Sequence, residues 1–333
     1  MKKAIIITIE ILAAILFCLE LNRVMMPKYV KENKDGRITQ EYYDAAKYSD
    51  VIFVGSSTVF SGVSPKVIWE EEGISSFNRA NASQAMWISY YMIEEAIKLH
   101  KPELVCLDMT FIKHADDFVE EPSTRKSLDG MKWSSSKIDC IRASMGEDEK
   151  MLDYVIPFFR FHSRWKELSW DDVAYAWYNK PVTLNGYIGE TKVDAADPSA
   201  MEYSGDFENI SPKNMDYLER TINLCRDNGV NLLLFKTPAF SSNWSDSLDE
   251  KITEVAQNHG ISYFNFDRYY EDIGLDPLTD TSDKGAHLNL DGAAKFSEYF
   301  AGLIRSEYDV SDRSDDEAYK AYWNGVINRS SDI

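Results

Sequence analysis

The sequence predicts an α/β protein: a three-layer, doubly wound parallel sheet with a large aromatic-rich insertion and an N-terminal membrane helix. Three observations carry this expectation. Val51-Ile-Phe-Val54 is a β-branched and aromatic run that stops abruptly at Gly55-Ser56-Ser57, the pattern of a buried strand that ends in a turn. Further short runs at Leu104–Leu107, Val230–Phe235 and Ser262–Phe266 alternate with stretches of helical periodicity, as parallel strands joined by crossover helices do. A mostly apolar segment, Ala4 to Leu21, opens the chain.

That opening segment follows Met1-Lys2-Lys3 and closes at Asn22-Arg23. As a helix it measures roughly 27 Å, barely a bilayer span. Glu20 reaches the interface, whereas Glu10 costs roughly 2.5–3.5 kcal/mol on insertion scales, which the many surrounding Ile and Leu residues outweigh. No small-x-small cleavage site follows and no lipobox precedes Cys18. Residues 1–27 therefore read as an uncleaved single-pass anchor rather than a signal peptide. Flanking charge leaves the orientation open, because Lys2 and Lys3 are matched by Arg23, Lys28, Lys31 and Lys34.

Residues 28–110 carry the first half of the sheet. The strand at 51–54 delivers Ser56 and Ser57 to the carboxyl edge, where open α/β sheets bind ligands, and Gly55 permits the sharp turn. Ser64-Pro65 starts a helix to about Glu72. A short strand at Ser75–Asn78 precedes a helix over Ala85–His100, with Ala85, Ile88, Met92, Ala96 and Leu99 on one face. Residues 111–212 show little alternation and form an insertion or cap. Residues 213–308 resume the winding, with helices at Asn214–Asp227, Ser247–Asn258 and Asp291–Ile304 flanking the last strands. Residues 309–333, rich in Asp and Ser, read as a solvated and partly disordered acidic tail.

Composition fits one sizeable domain, with 333 residues and 44% apolar content. A formal charge of −19, from 55 acidic against 36 basic residues, argues against a nucleic-acid partner, which needs clustered Lys and Arg. Cys18, Cys106, Cys140 and Cys225 show no zinc-type spacing and no disulfide framework. No metal or cofactor is expected.

Chemistry gathers at the two ends of the sheet-forming region. Thr279 to Asn289 is a polar, glycine-containing loop ahead of the last helix, whose Ala293, Phe296, Phe300, Leu303 and Ile304 share one face. In a parallel sheet His287 lies at the same edge as Ser57. Asp280 or Asp283, just upstream, can hold the imidazole in the tautomer that a serine nucleophile needs. Lys236-Thr-Pro238 ends a strand, where its ammonium meets a phosphate or carboxylate near Ser57 or pairs with an acid. Asp153 to Asn179 holds Phe158, Phe159, Phe161, Trp165, Trp170, Tyr175, Trp177 and Tyr178, interleaved with His162 and Arg164. They form either a carbohydrate platform or the packing of the insertion against the sheet, with Arg164 paired to Asp171 or Asp172.

Gly55-Ser56-Ser57 and Asp283…His287-Leu-Asn289 resemble the first and last blocks of the SGNH (GDSL-type) hydrolases. Asn78-Arg-Ala-Asn-Ala-Ser-Gln84, Phe161-His-Ser-Arg-Trp165, Lys236-Thr-Pro238 and the Leu-Asn-x-x-Gly-Ala of the last block narrow the likeness. They resemble membrane-anchored SGNH-like proteins that work beside membrane-bound O-acyltransferases in teichoic-acid D-alanylation and cell-surface polysaccharide acetylation. The resemblance covers roughly Asp50 to Ile304. It implies a flavodoxin-like sheet, Ser57 as nucleophile, His287 as base and Asp283 as acid, with Asp280 as substitute. It implies an oxyanion site from Ser57, Ala80 and Asn81, and substrate contacts from Lys236, His162 and Arg164 in a cleft walled by the insertion. The implied activity is that of a membrane-anchored, extracellular serine esterase or O-acyltransferase acting on acyl esters of a cell-surface glycopolymer. The alternative is a weak or inactive glycan-binding subunit of such a system.

Three departures from the family pattern bear on that alternative. Lys284-Gly-Ala286 adds one residue to the usual Asp-x-x-His spacing. Ala80 or Ser83 stands where a glycine usually donates its amide, which is tolerable only if φ is negative. Leu104–Met109 offers Asp108 where an asparagine donor is usual, and losing one oxyanion donor typically costs roughly a hundred- to a thousand-fold in rate.

Overall fold

Short apolar runs form the sheet because each is too short for a helix and lies between turn signals. The computed structural model describes residues 2–118, 121–178, 180–197, 209–241 and 244–329. Its strands are β1 (Val51–Gly55), β2 (Ser76–Ala80), β3 (Leu104–Asp108), β4 (Asn231–Lys236) and β5 (Ser262–Asn265). All neighbours pair in parallel, in the order β2-β1-β3-β4-β5. Every residue of β1, β2 and β3 is buried, as strands covered on both faces must be. Alternate side chains serve opposite layers. Ile52, Val54, Val105, Leu107 and Leu234 face one core, and Phe53, Cys106, Leu233 and Phe235 face the other.

The helices follow the alternation. α1 (Lys2–Met25) is long and apolar enough to cross a membrane. α2 (Asp35–Ala45), which no sequence signal had singled out, buries Ile38 and Tyr42. After β1, α3 (Ser57–Gly62) begins at Ser57 itself, earlier than the helix expected after Ser64-Pro65, and α4 (Pro65–Glu72) follows. α4 matches its expected bounds because its ends are chemically marked. Ser64 caps it, Pro65 fills the first turn, and Gly73 leaves it in the left-handed region (φ 62°). α5 (Met86–Leu99) returns the chain to β3.

The insertion divides its packing three ways. α6 (Glu121–Asp129) and α7 (Ser135–Ser144) add Leu128, Cys140 and Ile141 to the core beneath the sheet. The short α8 (Met151–Val155) adds Tyr154 to the same core, whereas α9 (Pro157–Phe161) and α10 (Trp170–Trp177) lie near the carboxyl end of α1. Residues 183–187 form a turn along the free edge of β2: Asn78 N–H donates to Asn185 O (2.9 Å), and Asn185 Nδ2 donates to Ser76 O (3.1 Å). α11 (Pro212–Asn228) and α12 (Asp246–His259) complete the first layer, and the one-turn α13 (Tyr270–Ile273) and α14 (Leu290–Glu307) complete the second.

The expected solvated tail is corrected by α15 (Glu317–Arg329). Trp323 is fully buried, stacks on Trp69 at 5.3 Å between ring centroids and donates to Ser75 Oγ at 2.8 Å. Arg313 pairs with Asp50 at 2.7 Å. The acidic average over the segment concealed a stripe of Tyr319, Tyr322, Trp323 and Val326 at helical spacing. Because Trp323 fills a core site, Trp323→Ala should destabilise the domain by about 3–5 kcal/mol. Urea denaturation of the full chain measures this, and an unchanged midpoint would mean that α15 is not part of the folding unit.

Candidate active site

The strand order places Ser57 at the sheet's switch point. The progression runs one way from β1 to β2 and the other way from β1 to β3, so the loops leaving these strands part at their carboxyl ends. Gly55 ends β1, and its role is close approach rather than an unusual φ. A Cβ there would lie 2.6 Å from both Asp108 Cβ and Val59 Cγ2. Ser56 is buried in extended backbone (φ −104°) and its Oγ bonds Thr58 Oγ1 at 3.2 Å. Ser57, one residue on, opens α3 and turns its hydroxyl outward.

The opposite side of the cleft is the turn before α14. Ser57 Oγ lies 2.7 Å from His287 Nε2, and His287 Nδ1 lies 2.6 Å from Asp283 Oδ2. Asp283 Oδ1 also accepts the backbone N–H of His287 at 2.7 Å, so one carboxylate fixes both the ring and the backbone that carries it. A carboxylate can only accept, which puts the proton on Nδ1 and leaves Nε2 to receive the serine proton.

The extra residue between acid and base is absorbed by two successive left-handed residues, Lys284 (φ 60°) and Gly285 (φ 98°). They fold the acid back over the histidine. The turn is held from outside: Lys284 N–H donates to Asp194 O at 3.1 Å, and Gly285 O accepts from Phe240 N–H at 2.8 Å. Asp280, the other carboxylate in reach by sequence, is engaged elsewhere. It pairs with Lys295 at 2.7 Å and accepts the N–H of Asp276 at 2.8 Å.

The remaining sequence candidates sit as follows. Ala80 ends β2 opposite Gly55. Asn81 turns its amide to Gln84 Oε1 (3.2 Å) and Thr39 Oγ1 (3.5 Å). In the same loop it is Ser83 that adopts the left-handed conformation, at φ 52°, the region that favours glycine. Asp108 accepts from Thr237 N–H (3.0 Å), Thr237 Oγ1 (3.1 Å) and Thr110 Oγ1 (3.0 Å), and touches Thr58 Oγ1 at 3.4 Å. Burial pushes its carboxyl pKa upward, while those bonds and the charge of Lys236 oppose the shift. As an acceptor it serves the turn after β1 structurally.

Lys236 is buried and pairs with Asp267 at 2.5 Å, the acid-pairing reading rather than the ligand-facing one. His162 Nδ1 meets Phe159 O at 3.0 Å, and Arg164 bonds Met25 O (2.6 Å) and Asp172 Oδ1 (2.8 Å). Neither is brought to Ser57. Both follow the insertion's aromatic helices to the carboxyl end of α1, where Arg164, Phe158 N–H and Trp177 make hydrogen bonds to Met25, Asn22 and Glu20. The part of the insertion that does reach the site is 188–197: Ile188 N–H donates to Phe60 O (2.8 Å), and Thr281 Oγ1 donates to Asp194 O (2.7 Å). Sequence reasoning missed it. The signal was Asn185-Gly186, a left-handed pair (φ 54° and 80°) that marks a tight turn.

No family model and no curated protein matches this chain. Among solved structures, it is similar at 12% identity to a Bacteroides fragilis protein described as a candidate acylhydrolase, over 80% of this chain and 94% of that one, with a TM-score of 0.38. At that level the likeness says nothing of this chain's chemistry.

The left-handed turn makes a direct prediction. A Cβ on Gly285 would lie 2.8 Å from Ala196 Cβ and 2.9 Å from Phe240 Cβ, at a φ that already strains any other residue. Gly285→Ala should move Asp283 relative to His287 and slow covalent labelling of Ser57 by a fluorophosphonate roughly a hundred-fold, the cost of an ångström-scale misplacement. An unaltered labelling rate would show that the turn does not position the acid.

Proposed function

We propose that the protein is a membrane-anchored serine esterase or O-acyltransferase of the SGNH type, acting outside the cell on acyl esters of a cell-surface glycopolymer beside a membrane-bound O-acyltransferase. The observation that carries the reading is the unbroken hydrogen-bonded chain Ser57–His287–Asp283 at the carboxyl end of β1. α1, long and apolar enough to span a bilayer, supports the anchored part. The glycopolymer and the partner rest on the sequence resemblance.

In this mechanism Ser57 Oγ attacks the acyl carbonyl as its proton passes to His287 Nε2, and Asp283 stabilises the imidazolium. The tetrahedral adduct collapses, the leaving alcohol takes the proton from Nε2, and the acyl group stays on Ser57. Water or a sugar hydroxyl then gives its proton to Nε2 and attacks the acyl-serine; as the Ser57 Oγ–acyl bond breaks, Nε2 returns the proton to Ser57 Oγ, and an acid or a new ester is released. The backbone N–H groups of Ser57 and of the loop after Ala80 are the donors proposed for the oxyanion.

A second reading, a glycan-binding subunit with little catalysis, is favoured by one observation. The Asn81 amide, expected to aid the oxyanion, is spent on Gln84 and Thr39, and Asp108, which stands where a donor is usual, serves as an acceptor. Fluorophosphonate labelling of the full chain separates the two readings, because only an activated serine reacts quickly. Ser57→Ala should abolish labelling and the hydrolysis of a small acetyl ester, whereas Ser56→Ala should keep part of both. Loss of activity in Ser56→Ala alone would shift the nucleophile by one residue, and absence of labelling in the unmodified chain would favour the binding subunit.

The acid is tested separately. Asp283→Asn should lower kcat by about 10⁴-fold, the effect known for neutralising a triad acid. Asp280→Asn, which loses its pairing with Lys295, should lower Tm while kcat changes little. The reverse pattern would reassign the acid. Removal of residues 1–19 should leave an exported domain that hydrolyses small esters yet fails to modify the polymer in cells. Full polymer modification without the anchor would overturn the membrane-bound part of the proposal.

A further inference from the structure

The aromatic stretch, which the sequence reads as a carbohydrate platform or as packing of the insertion against the sheet, lies against the end of α1 and leaves several of its rings bare. Trp165, Trp170, Trp177 and Tyr178 are 65, 78, 58 and 62% exposed. Tryptophan is seldom left so uncovered without a reason. All contacts named below between this stretch and α1 fall on one short section of the helix. Trp177 Nε1 donates to Glu20 Oε2 at 3.0 Å, Phe158 N–H donates to Asn22 Oδ1 at 2.8 Å, and Arg164 Nη1 donates to Met25 O at 2.6 Å.

The rest of α1 sets the level of that section. Residues 2–19 are exposed along their whole length, and at about 1.5 Å per residue the apolar part from Ala4 to Leu19 reaches roughly 24 Å, against the roughly 30 Å of a hydrocarbon core. Burial against the domain begins at Glu20 and is complete at Met25. The junction is stiff as well, since Lys28 Nζ donates to Arg23 O at 2.6 Å and so caps the last turn of α1. A helix whose free apolar part fits the bilayer therefore brings residues 157–178 to its outer boundary. Amphipathic aromatic rings are enriched at that level of a membrane.

We propose that residues 157–178 form a second membrane contact, with Trp165 and Trp170 seated among the lipid headgroups and upper acyl chains beside α1. The proposal rests on α1 crossing the membrane. It adds that the domain is held flat by two contacts instead of swinging on a tether. The partner surface is a phospholipid bilayer interface, and the aromatic face is not a sugar platform.

The test uses the full chain reconstituted into phosphatidylcholine vesicles in which part of the lipid is brominated on the acyl chain near the glycerol end. Bromine quenches nearby tryptophan emission. The unmodified chain should be quenched, and Trp165→Phe with Trp170→Phe, exposed positions that leave the core intact, should lose most of that quenching. Flotation of the same samples reports α1 independently. A chain that floats with vesicles but is quenched equally with and without the two tryptophans overturns the second contact alone, and points to a protein covering the patch. A chain that does not float overturns the anchor and this proposal together.

Discussion

A hydrogen bond between residues 230 positions apart, from Ser57 Oγ to His287 Nε2, sets the tolerance for the whole domain. The two residues are brought together by elements far apart in the chain. Ser57 is fixed by β1 in the middle of the sheet, and His287 by the turn into α14, which packs Phe300 against Phe53 and Phe235 and Phe296 against Phe266. The bond length therefore depends on how closely the second aromatic layer packs on the strands. Close-packed interiors shift little, which is what allows two distant loops to meet at hydrogen-bond distance.

What was legible in the sequence is what is determined locally. β1 and α4 show their limits because Gly55, Ser64, Pro65 and Gly73 mark them chemically, and Ser57, His287 and Asp283 could be named from short motifs. What was illegible depends on partners far along the chain. Lys284 carries no sign of a left-handed backbone, since its φ is imposed by the bonds of its turn to Asp194 and Phe240. For Arg164 and Lys236 the sequence leaves a ligand and an acid partner both open, and Asp172 and Asp267 beside them decide for the acid. The run after Asp309 was read by composition, which discards the phase that lets Trp323 reach Trp69.

Around Ser57, polar groups that open sites direct at substrate are turned inward. Asp108 ties the turn after β4 to the turn after β1 through Thr237 and Thr58, and Asn81 joins its own loop to α2 through Thr39. Such bonds make the serine's surroundings rigid, but they leave fewer side-chain donors to answer a developing negative charge. The local environment of Ser57 is therefore built for position first, and its electrostatic assistance has to come from backbone amides.

The turn at residues 183–187 has a consequence outside the site. It occupies the hydrogen-bonding groups that β2 would otherwise present at the margin of the sheet, and Tyr322 of α15 donates to Asn185 Oδ1 at 2.8 Å and so secures it. Bare strand edges recruit other strands. Chains confined to a membrane meet copies of themselves far more often than the same number free in solution, in a common orientation that suits edge-to-edge pairing. Were α1 to hold the chain in a membrane as proposed, that crowding would find β2 covered and no template for a second sheet along this margin.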